Sequence, residues 1–181
     1  AYRRLAEAPE RRRVTVLFPT LVFGGGEDRP TSHLTGGLDG IVRYLWALRW
    51  FTLDGSLHFV HAADIARVVA HLLDHPAPGE DFVLGNAAHT VDEVLDAFCE
   101  YYALPRSRAL NLTPLAGLIQ AIAGSKMNSW DRYCLKQRHF RYQCVNPRHF
   151  GLPAGYERLV DILYERDPRA LRGYPAPEPA T

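Results

Sequence analysis

Val14-Thr15-Val16-Leu17-Phe18-Pro19-Thr20-Leu21-Val22-Phe23 runs directly into Gly24-Gly25-Gly26. Apart from Pro19, every residue of the run is apolar, β-branched or aromatic. A short continuous run of this kind, closed by glycines, predicts a fully buried strand over 14–22 that ends in a tight turn. Burial on both faces places such a strand in a parallel sheet with helices on either side. Proline has no N–H for the ladder, so pairing is expected to stop at Pro19 and the chain to turn outward. In open α/β sheets ligands sit just beyond the carboxyl ends of the strands. The rest of the chain is therefore read as the wall of a crevice.

Downstream, Leu57-His58-Phe59-Val60 follows the turn signal Asp54-Gly55 and reads as a short strand. Ile65, Val68, Val69, Leu72 and Leu73 recur at helical spacing, and Pro76 to Gly79 stops that helix. Asp81 to Asn86 is a second buried-strand candidate. Thr90-Val91-Asp92-Glu93 has the capping-box pattern, and Val91, Val94, Leu95, Phe98 and Tyr102 form the expected inner face of the helix it opens. Ile41 to Phe51 is apolar nearly all round, which predicts a buried helix, or one lining a cavity for a bulky hydrophobic substrate. Residues 1–8 read as a helix end, 113–123 and 127–137 as helices, 140–145 as an extended stretch, and Tyr156 to Glu165 as a last helix with Tyr156, Leu159, Val160 and Leu163 on one face. The proline-bearing tail from Gly173 is expected to be disordered.

Composition narrows the class of protein. The chain has 181 residues, 47% hydrophobic and 23% charged, with a formal net charge of +1. These are the proportions of an ordinary soluble globular domain, and they make no electrostatic case for nucleic acid. The arginines at 3, 4, 11, 12 and 13 read as a solvated helix end and loop. Three scattered cysteines, Cys99, Cys134 and Cys144, lack metal or disulfide spacing and point to reduced thiols in the cytoplasm. No apolar core of a secretory signal follows the basic start. Leu112 to Gly124 is too short to cross a bilayer, which takes about 20 residues. A buried or substrate-facing helix is its first reading, an interfacial helix its alternative.

Three tempting motifs fail on physical grounds. Thr35 to Val42 offers glycines before a helix, but residues 27–33 are too polar to be the buried strand a pyrophosphate loop needs in front of it. Ser32-His33, or His61 with Asp64, lacks a nucleophile elbow. Tyr133 and Lys136 are three apart, whereas a helical proton-relay pair needs four. His61 lies between a strand and a helix. Its first reading is as a residue that hydrogen-bonds the neighbouring strand end and fixes the helix start; direct ligand contact is the alternative.

Taken together, three segments resemble the extended short-chain dehydrogenases/reductases, the NAD-dependent epimerase/dehydratase group. Val16 to Gly24 resembles that family's "LRPxxVYG" strand end. His58 to Ala66 resembles its "xFVHVxDxA" segment, and Asp81 to Val94 its "YNxGxxxxxTxxEL" strand and helix. Trp130-Asp131 and Asn146 to Leu152 look like a subgroup signature. The resemblance implies the C-terminal part of a Rossmann-like doubly wound parallel sheet with an α-rich substrate lobe. Its divisions would be residues 1–104 for the sheet elements, 105–172 for the lobe and 173–181 for the tail.

It further implies that Pro19, Thr20, Leu21 and Val22 pack against the nicotinamide of NAD or NADP bound by the full-length parent. Phe23, Gly24, Arg29, Ser32, His33 and His61 would lie on the side of a small-molecule substrate. The partner would be the N-terminal half of the same enzyme, with a homodimer as an open option. The chain departs from the family in having no G-x-x-G-x-x-G loop, no Tyr-x-x-x-Lys pair and Phe18 where an Arg is usual. Two expectations follow: a hydride-transferring oxidoreductase or epimerase fragment that is inactive alone, or a non-catalytic relative serving as cofactor sensor or assembly subunit.

Overall fold

A computed structural model describes residue 2 and residues 7–24, 41–115, 133, 137–153 and 155–164. Most of the expected helices over 1–8, 113–123 and 127–137, the glycine-rich stretch 25–40, Trp130-Asp131, Cys134 and the tail lie outside these residues; Thr113–Leu115, the start of the second of those helices, is a 3-10 turn.

The opening run, expected to be one fully buried strand, forms two strands with different partners, half-buried along their length except for exposed Pro19 and buried Phe23. β1 (Val16–Pro19) pairs in parallel with β6 (Asp81–Leu84), with Val16 opposite Asp81 and Pro19 opposite Leu84. β2 (Leu21–Phe23) pairs in parallel with β5 (Phe59–His61). Pairing therefore changes partner at Pro19 rather than ending there. The Thr20 N–H donates to the Leu84 carbonyl and the Leu21 N–H to the His58 carbonyl, so consecutive residues serve two different ladders.

The expected strand 57–60 is likewise divided. Ser56–Leu57 is β4, antiparallel to β7 (His89–Thr90), and β5 follows it. β3 (Phe51–Thr52) pairs in parallel with β8 (Leu110–Asn111). The extended stretch 140–145 returns to this frame, with Val145 bridging Leu84 in parallel.

Among the described residues, four named α-helices pack around these pairs. They are α1 (Leu45–Leu48), α2 (Ala62–Asp74), α3 (Val91–Tyr101) and α4 (Leu159–Tyr164). α3 fits its pattern closely. Thr90 Oγ1 accepts from the Glu93 N–H and the Glu93 carboxylate accepts from the Thr90 N–H, closing the capping box. Val94, Leu95, Phe98 and Cys99 are buried, and Val91 and Tyr102 are half-buried. They join Phe23, Leu45, Phe59 and Ile162 in the larger core cluster; Val60, Val68 and Leu84 form the smaller.

Three expectations are corrected. On α2 the buried residues are Asp64 and Val68, while Val69 and Leu73 are 39% and 77% exposed. The stripe is rotated because the buried carboxylate of Asp64 belongs to the inner face, and apolar periodicity does not count it. The run Ile41 to Phe51 is not buried all round. Helical geometry breaks at Tyr44, only Leu45 is fully buried, and Tyr44, Trp46 and Trp50 are exposed. The last helix begins at Leu159 rather than Tyr156, and Asp161 and Ile162 are buried while Leu159 and Val160 of the expected inner face are half-buried. The arginine-rich start is also partly structural: Pro9–Arg13 is a 3-10 helix, and Arg11 forms an ion pair with Asp81.

Arg106 ties α3 to the chain leaving α1. Its guanidinium donates to the carboxylates of Asp92 and Asp96 and to the carbonyls of Leu48, Arg49 and Phe51, and it is 11% exposed. Only a planar fork of five donors reaches all of these at once. Arg106→Ala is expected to cost about 2–3 kcal/mol in urea unfolding, the range for losing charged hydrogen bonds, and Arg106→Lys to recover less than half of it.

The start of α3 also sets a pH response. The Thr90 N–H holds the Glu93 carboxyl below its usual range, and burial pushes the His89 ring below its ordinary value of 6.5. A group whose pKa is depressed by folding stabilises the folded state above its unfolded pKa, and that stabilisation disappears as pH falls through the folded one. Stability measured by urea melts should therefore begin to fall below pH 6.5, a part that His89→Gln removes. A further loss should begin below pH 4.5, a part that Glu93→Gln removes.

Candidate functional site

The change of partner at Pro19 leaves the carboxyl end of the opening run in a corner where β1, β2, β5 and β6 meet. The Asn86 N–H donates to the Phe59 carbonyl, so the ends of β5 and β6 are adjacent there. Pro19 is exposed; Thr20, Leu21 and Val22 are half-buried. Thr20 Oγ1 is buried and has no hydrogen-bond partner among the described residues. In a parallel ladder, alternate residues direct their N–H and C=O to the partner strand. Leu21 bonds to β5, so Val22 directs its N–H and C=O to the opposite edge of β2. No strand covers that edge among the described residues.

His61 organises the wall behind this corner. It is the N-cap of α2, and its Nδ1 accepts from the Ala63 N–H at 3.0 Å. An accepting Nδ1 leaves the ring proton of the neutral tautomer on Nε2. The ring stacks on Tyr156 at 3.7 Å between centroids and meets the edge of Phe23 at 5.0 Å. Gly24, with φ +98°, passes so close that a Cβ there would lie 2.7 Å from His61 Nε2. The histidine therefore sets the path of the chain as it leaves β2.

Tyr156 is held by its backbone. Its N–H donates to Asp64 Oδ2 at 3.0 Å, and its carbonyl accepts from Asn86 Nδ2 at 2.8 Å. Asp64 is 1% exposed, and its other oxygen takes the guanidinium of Arg67. Gly155 lies against that carboxylate, where any Cβ would fall 2.1 Å from Oδ1. Asp64, Asn86, Gly155 and Tyr156 thus complete a constellation that motif spacing left unassembled. The available signals were a carboxylate inside an apolar stripe and a glycine immediately before an aromatic residue.

His58 closes the corner on its other side. Its Nε2 accepts from the Tyr142 N–H at 3.0 Å, so Nδ1 carries the proton and donates to the Asn86 carbonyl at 2.8 Å. Cys144 Sγ lies 3.4 Å from that Nδ1, but a nitrogen already donating cannot act as a base toward a thiol. Burial pushes the Cys144 thiol up, away from the reactive thiolate. The pair is structural. Among the described residues no group of three or more His, Cys, Asp or Glu is placed to hold a metal ion, and no helix is long and apolar enough to cross a membrane.

The residues expected at the site fall into three sets. Pro19 to Val22 line the strand corner. Phe23, Gly24 and His61 are brought together behind it, but Phe23 is 1% exposed and its side chain belongs to the core. Arg29, Ser32 and His33 lie outside the described residues.

No family model matches the chain, and no curated protein matches it by sequence. Solved structures do match. A nucleoside-diphosphate-sugar epimerase from Pseudomonas aeruginosa covers 96% of the chain with a TM-score of 0.59 at 15% identity. A human epimerase family protein, solved with NADPH, covers 84% with a TM-score of 0.53 at 17% identity. The Bordetella bronchiseptica enzyme WbmG, in complex with NAD and UDP, covers 88% with a TM-score of 0.51 at 14% identity. The chain spans 52%, 48% and 46% of these proteins, about half of each. Its fold is the mixed α/β, Rossmann-like fold of these epimerase and short-chain dehydrogenase structures.

The two tight glycines offer a direct test of the constellation. Gly155→Ala forces a methyl group into the Asp64 carboxylate, and Gly24→Ala adds strain at positive φ to a clash with His61. Each is expected to destabilise by about 1–3 kcal/mol in chemical unfolding. Because both act on the His61–Tyr156 stack, the double variant should cost measurably less than the sum of the two singles.

Proposed function

We propose that this chain is the substrate-binding part of an NAD(P)-dependent oxidoreductase or epimerase. The reaction is hydride transfer at a hydroxyl or carbonyl carbon of a small molecule. The chain is inactive without an N-terminal cofactor-binding half. The observation that carries this reading is the strand corner, with the Thr20 hydroxyl and the uncovered edge of Val22 at the carboxyl end of a strand in a Rossmann-like fold. A carboxamide needs one acceptor and one donor side by side, and the Val22 C=O and N–H supply the complementary pair. These residues fit a nicotinamide, which when bound gives or takes the hydride.

The remaining roles belong to this chain's own groups. Thr20 offers a hydroxyl that nothing else among the described residues engages. His61 and Tyr156 hold Gly24, and with it the point from which the chain runs on to Arg29, Ser32 and His33 in sequence. Tyr156, from the proposed lobe 105–172, stacks on His61 beside this corner. The proton that accompanies hydride must come from an acid or base within reach of the reacting oxygen. No Tyr in this sequence is followed four positions later by Lys, which supports dependence on a second half. A nucleoside-diphosphate sugar, as named for the Pseudomonas protein, is the first substrate class to test.

The test is fluorescence titration of the full-length product with NADH and NADPH, beside this 181-residue segment alone. The full-length protein should bind at least one saturably, and the segment neither. Val22→Pro removes an N–H that β5 does not use and should weaken binding about tenfold, the value of one amide hydrogen bond. A full-length protein that binds neither nucleotide would sink the proposal.

A further inference from the structure

Arg43, Tyr44, Trp46, Arg49, Trp50 and Leu110 form a surface that the strand corner does not use. Tyr44, Trp46, Trp50 and Leu110 are exposed at 54%, 67%, 42% and 56%. Trp50 and Leu110 adjoin, because the Leu110 N–H donates to the Trp50 carbonyl at 2.9 Å. Each arginine sits over a ring, Arg43 at 5.9 Å from the centroid of Tyr44 and Arg49 at 4.8 Å from that of Trp50. Arg11, Arg67, Arg106, Arg108, Arg148 and Arg158 each meet a carboxylate, but Arg43 and Arg49 meet none among the described residues.

We infer that this patch docks the protein on an anionic lipid bilayer. The composition is that of a membrane–water interface, where tryptophan and tyrosine sit at headgroup level and arginine lays its stem along apolar surface with its charge outward. Neither arginine meets a carboxylate among the described residues, and their positive charges complement anionic headgroups. The sequence beyond the patch is consistent in character. From Leu112, whose N–H bonds to the Thr52 carbonyl, no charged residue occurs through Gly124. The patch holds the chain at the surface without spanning it, in keeping with the absence of a membrane-crossing helix among the described residues.

The experiment is flotation of the full-length product with vesicles of phosphatidylcholine alone or mixed with phosphatidylglycerol. The protein should float with the anionic vesicles only, with a blue shift of tryptophan emission and quenching by brominated lipid. Arg43→Gln with Arg49→Gln should weaken partitioning about 30-fold, at about fivefold for each charge near the surface. Trp46→Ser should abolish most of the quenching, and as an exposed position it should leave the thermal melt unchanged. Failure to float with anionic vesicles overturns the inference, as does flotation that the double arginine variant leaves intact. A sedimentation-velocity dimer that Trp46→Ser dissolves, without vesicle binding, would instead assign the patch to a second copy of the chain. None of these outcomes depends on nucleotide binding, so this inference and the proposed function stand or fall separately.

Discussion

Asp64 is buried to 1% of its surface, and both of its carboxylate oxygens are engaged. One oxygen takes the Arg67 guanidinium and the other the N–H of Tyr156. A carboxylate placed this deeply without partners would cost several kcal/mol, so those partners must be where they are. That requirement propagates. Holding the backbone of Tyr156 places its ring on His61, His61 caps the helix that carries Asp64, and its outer nitrogen sets the path of Gly24. A closed circuit of this kind, whose Asp64 and Tyr156 lie 92 positions apart in the chain, constrains the exit of β2.

The circuit matters because β1 and β2 are one covalent run serving two ladders. A continuous strand would carry its ladder straight through; here Pro19 withholds a donor, and the next two N–H groups go to Leu84 and His58. Partner exchange within a strand opens a corner, since β6 no longer covers the edge that β5 does not reach. Open α/β folds place ligands where neighbouring strands diverge at their carboxyl ends. In this chain the divergence is produced by one proline and stabilised by His58, whose two ring nitrogens bind Asn86 and Tyr142.

Elements whose determinants are local could be read from the sequence. The extended character of the opening run, the capping box from Thr90 to Glu93, the helix beginning after His61 and the helix-fixing role of that histidine rest on neighbours within a few positions, whereas the full burial expected of the run does not hold: only Phe23 is buried. The two tight parallel pairings follow from apolar runs, yet their registers and the exchange between them depend on residues about 40 and 65 positions apart. Asp64 stood out only beside His61, in a pairing that lacked a nucleophile elbow, because polarity alone does not announce burial. Arg106 was illegible for the same reason: its five acceptors belong to three elements. The aromatic run 44–51 misled in the opposite direction, since hydrophobicity on all sides of a segment does not require that a core exist on all sides of it.

Fold similarity at 14–17% identity follows from how the corner is built. Most of its geometry is carried by main-chain groups, namely the N–H groups of Thr20, Leu21, Asn86, Tyr142 and Tyr156 and the carbonyls of His58, Phe59, Leu84 and Asn86. Any residue except proline supplies such donors, so side chains can change freely while the path of the backbone persists. Only positions that bond those groups from the side, His58, His61, Asp64 and Asn86, must keep their chemistry, and only positions pressed against them, Gly24 and Gly155, must stay small. Side chains that do not belong to this frame, Phe18 and the exposed aromatics among them, are free to take on properties the shared fold does not dictate. That division explains how a Rossmann-like fold and an arginine-aromatic surface can coexist in one chain.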